Sequence, residues 1–411
     1  MLDLQEAYLA RYVAGTESPL IYHRWCLMST VSALLGRNFY FPYGHFTIYP
    51  NQFCMLIGSP GARKSSAINI AKKLLRETGF DRIAEGKTTK EKFLLDLYGQ
   101  EDDANGMPAT GLASLLAGAD DDLPHEMYIA ADEFTNFSGA GNYEFFSVLG
   151  ELWDCPPDFP VRTKNSKSFS IQQPVVNIIA GNTHAGFAAA FPPDIMGQGF
   201  LSRMILVYGT PSSTRITFPT KPDAKLTAEL AAHMKQIRLL MHGEAKLEPA
   251  ATAAIDYLYQ SQPDLADSRL KHYSNRRIVH LIKLCLIQAA MRLSDTITEA
   301  DVTLANTILS WAEEFMPSAL GEFGKSKHSD ITTRLLETLS TATEPKTIHD
   351  FYAAVATDLE KYSQLPDIIA GLIQADKIQR AGNGFLLKIA ARKTAGKYLD
   401  YSLLVEAAGS I

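Results

Sequence analysis

Residues 53 to 75 constrain this chain more than any other stretch: FCMLIGSPGARKSSAINIAKKLL. Phe53 to Ile57 is an apolar run of the kind that forms a buried strand. The chain then turns through Gly58, Pro60 and Gly61 and reaches Lys64 and Ser65, where an amphipathic helix is predicted to start. Strand, glycine loop, Lys-Ser and helix follow the phosphate-binding pattern G-x-x-x-x-G-K-[ST]. Glycines let backbone amides curl around phosphate oxygens, and the helix N-terminus adds partial positive charge. The pattern assigns nucleotide contact to Gly58, Ser59, Pro60, Gly61, Ala62, Arg63, Lys64, Ser65 and Ser66. Lys64 is expected to reach the β- and γ-phosphates, and the Ser65 hydroxyl to ligate magnesium. One position departs: the glycine before the lysine is Arg63, whose side chain either crowds the phosphates or lies outward as a second cation.

A second motif completes a nucleotide site. EMYIAADEF, residues 126 to 134, is an apolar strand ending in Asp132 and Glu133. Adjacent carboxylates ending a buried strand are costly unless they do chemistry or meet a cation. Asp132 is expected to hold magnesium and Glu133 to act as general base on the attacking water. VVNIIAGNTH, residues 175 to 184, is another buried strand, ending in the polar Asn182, which can position that water. Arg203 stands immediately before a further apolar strand in GFLSRMILVYG, either as a local salt-bridge partner or as a finger reaching a neighbouring subunit's nucleotide.

At 411 residues the chain is expected to hold two or three domains. Its net charge of −6 argues against a uniformly basic nucleic-acid coat, but leaves room for a ring with a locally basic channel. Cys26, Cys54, Cys155 and Cys285 lie far apart without metal-ligand spacing and read as free thiols of a reducing cytoplasm. No apolar run reaches the ~20 residues of a membrane span, and the N-terminus lacks a signal peptide's order, so no membrane partner is expected.

In chain order, helices are expected over 4–14 and 19–36, with Trp25 in the core, and then a short hairpin over 38–49. The segment 79–125 is polar, and its lysines at 87–92 read as a solvated helix face. A helix over 142–153 precedes a hairpin centred on VRTKNSKSFSI, tipped with Arg162, Lys164 and Lys167. Those cations are able to grip a phosphate backbone. Residues 224–320 read as helical throughout, with Arg276 and Arg277 opening the helix that carries HLIKLCLIQAAMRL. One of them could bend back onto the γ-phosphate; otherwise they form an exposed basic helix start. Helices at 331–340, 347–358 and 364–375 and a strand pair turning at 382–384 read as a winged helix. The expected divisions are 1–50 (N-terminal helices and hairpin), 51–215 (core), 216–320 (lid), 330–392 (winged helix) and 393–411 (an unassigned tail).

GSPGARKS, IAADE, the basic hairpin, IIAGNT, GFLSRMILV and SNRRIVHLIKL occur in this order within residues 53–315. The set resembles AAA+ ATPases, and more closely their hairpin-bearing helicase branch. LSRMILV is similar to the Leu-Ser-Arg-Phe segment of minichromosome maintenance helicases, which implies a trans arginine finger at Arg203. NRRIVHLIKL is similar to their lid motif and implies a sensor arginine at Arg276; Asn182 matches the first sensor asparagine. The whole chain, with SPLIYHRWCLMSTVSALLGR and TTKEKFLLDL, resembles phage- and prophage-encoded helicase-like ATPases that carry an Arg-Lys-Ser loop.

The resemblance implies an α/β three-layer sandwich with a parallel core sheet, a helical lid and a C-terminal winged helix. It also implies a hexameric ring that hydrolyses ATP with Mg2+ and moves single-stranded or forked DNA in phage or mobile-element replication. A separate primase or replication-origin protein is an expected partner, because no primase-like zinc or acidic cluster occurs in the chain. The alternative is a helicase loader or partner-recruiting switch without unwinding activity. A phage-defence NTPase without a nucleic-acid channel is a third possibility.

Overall fold

The computed structural model describes residues 2–99, 125–162, 168–191, 199–212, 215–262, 265 and 267–321, parts of 331–387, and 397–404. The acidic run that closes the polar segment before residue 125 lies outside these residues, as does the tip of the basic hairpin.

Strands β1 (Phe39–Tyr43) and β2 (Phe46–Ile48) pair as a hairpin and lead into β3 (Phe53–Ile57). Then follow β4 (Ile83–Ala84), β5 (Glu126–Ala131), β6 (Asp158–Val161), β7 (Phe169–Gln172), β8 (Val175–Asn182) and β9 (Met204–Tyr208). Five of these form one all-parallel sheet in the order β4-β5-β8-β3-β9. Every residue of β3 and β8 is buried, as a parallel sheet requires when helices cover it. Their unbroken apolar runs are the sequence image of that burial. The chain is mixed α/β.

The order has a consequence for the position of any ligand. From β3 the chain moves to the far edge at β4, works back through β5 to β8, then passes β3 to lay β9 on its other side. At such a reversal in an open parallel sheet, the groove outside the carboxyl ends of the strands is left free for a ligand. Ile57 pairs in register with both Asn182 and Tyr208, so β3, β8 and β9 end level at that groove.

The Leu20–Leu35 helix is buried on nearly all sides, Trp25 included, and packs against β3, β8 and the Lys64–Glu77 helix. Its buried residues include the polar His23, Arg24, Ser29, Thr30 and Ser32 as well as the apolar ones, so it is enclosed on every face. The region 224–320 supplies helices Ala224–Leu240, Pro249–Gln260, Arg277–Met291 and Glu299–Leu320. It is not helical throughout: Gly243–Glu244 extends β1 in parallel, and Lys246–Leu247 pairs with Thr296–Ile297. Two-residue strands are too short to print a periodicity in sequence.

Arg277 is not an exposed helix start. It is buried, its Nε lies 2.8 Å from Glu313 Oε1, and Nη2 donates to Asn306 Oδ1 at 2.9 Å. Burial raises the Glu313 pKa, and Arg277 opposes that rise.

The chain forms two compact units: Met1–Gly321 with Tyr398–Ile411, and Glu322–Lys397. The second contains the helices Ile348–Val355 and Gln364–Gln374 and the hairpin Ile378–Ala381/Gly384–Leu387. Phe351, Val355, Leu365, Ile369 and Ile378 form its core, and Phe385 stacks on Phe351 at 5.6 Å. After it the chain returns to the first unit. Asn306 Nδ2 donates to the Tyr398 carbonyl at 2.7 Å, Asp400 N donates to Thr307 Oγ1, and Tyr401 meets Trp311 edge-on. The described part of the tail therefore packs along the middle of the Glu299–Leu320 helix. Among the described residues no helix is long and apolar enough to cross a membrane.

Removing one partner of a buried ion pair strands the other charge. Arg277→Ala is expected to cost about 3–5 kcal/mol in urea unfolding. Replacing Arg277 by Met and Glu313 by Leu together should cost far less; equal losses in the two proteins would show that the charge is not the source.

Candidate functional site

The groove at the carboxyl edge is built by the turn that follows β3. Gly58 has no room for a side chain: an added Cβ would collide with the Tyr22 hydroxyl and stand 2.6 Å from the Gly209 carbonyl. Tyr22 Oη lies 2.8 Å from the Ile57 carbonyl and 2.9 Å from the Gly209 carbonyl, so one buried donor ties the ends of β3 and β9. Beyond Gly58 the loop exposes Ser59, Pro60 and Gly61, buries Ala62, and turns into the helix at Lys64, with Ser65 and Ser66 exposed on its first turn.

Arg63 caps that helix in the left-handed region, with φ +60 and ψ +28. The conformation costs a residue with a side chain about 1–2 kcal/mol, which explains why glycine is the usual occupant. The side chain lies outward and is paired. Nε and Nη2 donate to Glu17 Oε2 at 2.9 and 2.6 Å, and the Arg63 carbonyl accepts from Ser18 Oγ at 2.5 Å. It does not crowd the loop.

Lys64 curls over the turn. Its Nζ donates to the carbonyls of Gly58 at 2.9 Å and Ser59 at 3.0 Å. Burial lowers its pKa, and the nearby Glu133 carboxylate partly offsets this.

Asp132 and Glu133 follow the last residue of β5 at the same edge. Asn69, on the helix that follows the loop, donates Nδ2 to Asp132 Oδ1 at 3.1 Å. Glu133 opens the Phe134–Ser138 helix and accepts from Asn136 Nδ2 at 2.8 Å. Between the two motifs runs β8, where Gly181 is another close approach: an added Cβ would meet the Asp132 carbonyl at 2.5 Å. Buried Asn182 donates Nδ2 to Thr135 Oγ1 at 3.1 Å, and Thr135 donates to the Gly186 carbonyl at 3.0 Å. The Ser65 hydroxyl and the Asp132 carboxylate are oxygen donors of the kind a hard divalent cation takes. The described residues hold no cluster of three or more His, Cys, Asp or Glu with metal-binding geometry.

Arg203 and Arg276 lie elsewhere. Arg203 precedes Met204, which pairs with Phe53 at the start of β3, so it stands at the amino edge of the sheet. A strand of this length places it roughly 15 Å from its own loop. Its Nη2 donates to Asp154 Oδ2 at 2.7 Å and its Nη1 to the Gly199 carbonyl at 3.0 Å. Arg276 Nε donates to Ser202 Oγ at 2.9 Å, next to Arg203. A reach of Arg276 back to its own chain's loop is therefore ruled out by place: the helix it begins is anchored at the opposite edge.

Both guanidinium carbons lie 5.7 Å from the Trp153 ring centroid, and Lys283 Nζ lies 4.2 Å from it. Lys283 also donates to Asn51 Oδ1, which lies just ahead of β3. Burial lowers Lys283 to about 8. Arg276 is lowered by burial and then by the neighbouring Arg203. The aromatic face helps to hold cations that repel one another.

Of the hairpin cations, Arg162 is exposed directly after β6; Lys164 and Lys167 lie outside the described residues. Sequence reasoning missed Glu17, Ser18, Tyr22, Asn69, Thr135 and Trp153. No motif gives any of them a role, and each is brought to its place only by folding. No protein-family model matches this chain, and no curated protein matches it.

His280 stacks on Tyr273 at 5.2 Å, and its Nε2 faces the Ser202 carbonyl at 3.2 Å. Burial holds it neutral, with a pKa of about 3, and burial likewise lowers His23 to about 4. Unfolded, both would titrate near 6.5. The unfolded chain thus binds more protons below pH 6.5, and stability falls with pH by up to about 1.4 kcal/mol per unit for each histidine. Urea unfolding at pH 7, 6 and 5 should show this slope. His280→Gln should flatten it by about half; parallel curves for the two proteins would refute the assignment.

Proposed function

We propose that this chain is a magnesium-dependent ATPase of the AAA+ type that assembles into a ring, expected to be a hexamer, and drives along single-stranded or forked DNA in phage or mobile-element replication. One observation carries the reading: two sets of groups are segregated at opposite edges of one parallel sheet. Lys64, Ser65, Asp132, Glu133 and Asn182 share the carboxyl edge, whereas Arg203 and Arg276 share the amino edge. A site completed by an arginine needs a second subunit to supply it.

In this reading the Gly58–Ser66 amides and Lys64 hold the triphosphate, an arrangement supported by the loop's place between β3 and its helix. Ser65 and Asp132 hold magnesium, which neutralises charge on the β- and γ-phosphates when bound. Glu133 takes the proton of the attacking water, and Asn182, fixed through Thr135, orients that water. Arg203 of one subunit meets the transferring phosphoryl group bound by its neighbour, with Arg276 beside it. Arg162, Lys164 and Lys167 then contact the strand in the channel. The helices and hairpin of the Glu322–Lys397 unit support a winged helix.

A loader or switch that recruits a primase or another replication protein is the second reading. It is favoured by the Gln364–Gln374 helix, which carries no lysine or arginine with which to grip DNA.

Lys64→Ala should abolish ATP turnover, and Arg203→Ala should lower it on the order of a thousandfold while sparing ATP binding. Mixed in equal amounts, the two inactive proteins should regain activity at about a quarter of the sites, since a head-to-tail ring pairs an intact loop with an intact arginine at that frequency. No recovery, or normal turnover by Arg203→Ala alone, would overturn the trans assignment. Single-stranded DNA should stimulate the wild-type ATPase but not the Arg162/Lys164/Lys167→Ala protein. An unchanged rate in both would favour the loader.

A further inference from the structure

One carboxylate joins three stretches of chain that are distant in sequence. Glu17 Oε2 accepts from Arg63 in the loop, and Glu17 Oε1 accepts from the backbone N–H of Ile216 at 2.8 Å, on the segment leaving β9. Ser18 adds a second tie to the same loop residue through the Arg63 carbonyl. A cleft of about 330 Å3 lies at this junction, lined by Glu17, Gly61, Arg63, Arg215, Ile216 and Thr217. Arg63 holds the one left-handed non-glycine conformation in the loop, immediately before Lys64. A strained peptide there needs an external anchor, and Glu17 and Ser18 supply it.

We propose that Glu17 is a positioning residue: through Arg63 it fixes the loop peptide that presents Lys64, and through Ile216 it fixes the far wall of the cleft. The arginine that stands in the place of a glycine is thus a lever by which residues 16–18 set the shape of the loop. Two neighbouring oxygens of one side chain make loop shape and cleft width a single variable. The inference rests on the nucleotide reading only where affinity is concerned; the tie itself is independent of it.

The test uses the full chain and Glu17→Gln, Arg63→Gly, the double variant and Lys64→Ala. Amide hydrogen exchange is followed in peptides covering 58–66 and Ile216, and the dissociation constant for magnesium-ATP is measured in parallel. Glu17→Gln should speed exchange in both segments about tenfold, whereas Arg63→Gly should do so only in 58–66. Each should weaken magnesium-ATP about tenfold, and the double variant no further, because the two side chains act through each other. The melting temperature should move little, since an exposed ion pair contributes little to stability. Unchanged exchange at 58–66 in Glu17→Gln would overturn the proposal, as would additive affinity losses. If neither the wild type nor Lys64→Ala binds magnesium-ATP, the nucleotide reading fails, and the exchange pattern alone still decides the role of Glu17.

Discussion

Where β3 and β9 end, the Gly209 N–H donates to the Ile57 carbonyl at 3.1 Å, and a single phenol adds a second donor beside that bond. The Tyr22 hydroxyl sits within bonding distance of both Ile57 and Gly209, where β3 and β9 end. Its place requires glycine on both sides, because an added Cβ at Gly58 or Gly209 would fall within 3 Å of the Tyr22 side chain. The hydroxyl and the two glycines together fix how closely the ends of β3 and β9 approach, and the loop, Lys64 and the helix behind it start from that point.

Much of the carboxyl edge was legible in the sequence. The apolar runs ending in Gly58, Asp132 and Asn182 announce buried strands whose polar ends gather at one edge, and a parallel sheet puts them there. What the sequence could not carry was the scaffolding around those ends. Asn69 steadies Asp132, and Thr135 steadies Asn182, yet nothing in the sequence singles out either residue. Arg63 was visible as a departure from a pattern, but its outward course depends on Glu17, 46 residues earlier. Arg277 read as either a γ-phosphate contact or an exposed helix start, because its partner Glu313 stands on a different helix. Spacing reports periodicity within one element; pairing between elements is set by tertiary packing.

The two edges also differ in their electrostatics. At the carboxyl edge the charges alternate: Lys64 lies near Glu133, and Arg63 is bonded to Glu17. At the amino edge Arg203, Arg276 and Lys283 crowd one indole, with Asp154 bonded to only the first of them. Like charges held together in a partly dry site carry unrelieved repulsion, which an arriving anionic group would reduce. Trp153 and the carbonyls around it make the arrangement tolerable in the meantime.

The return of the chain at Tyr398 has a bearing on synthesis. The Glu299–Leu320 helix is complete long before Tyr398, Asp400 and Tyr401 leave the ribosome, because the whole Glu322–Lys397 unit is made in between. Asn306, Thr307 and Trp311 must wait for these partners through that interval. At about 5–20 residues per second the wait lasts several seconds, ample time for the inserted unit to fold first. The unit begun first is thus completed only after the unit inserted in its sequence.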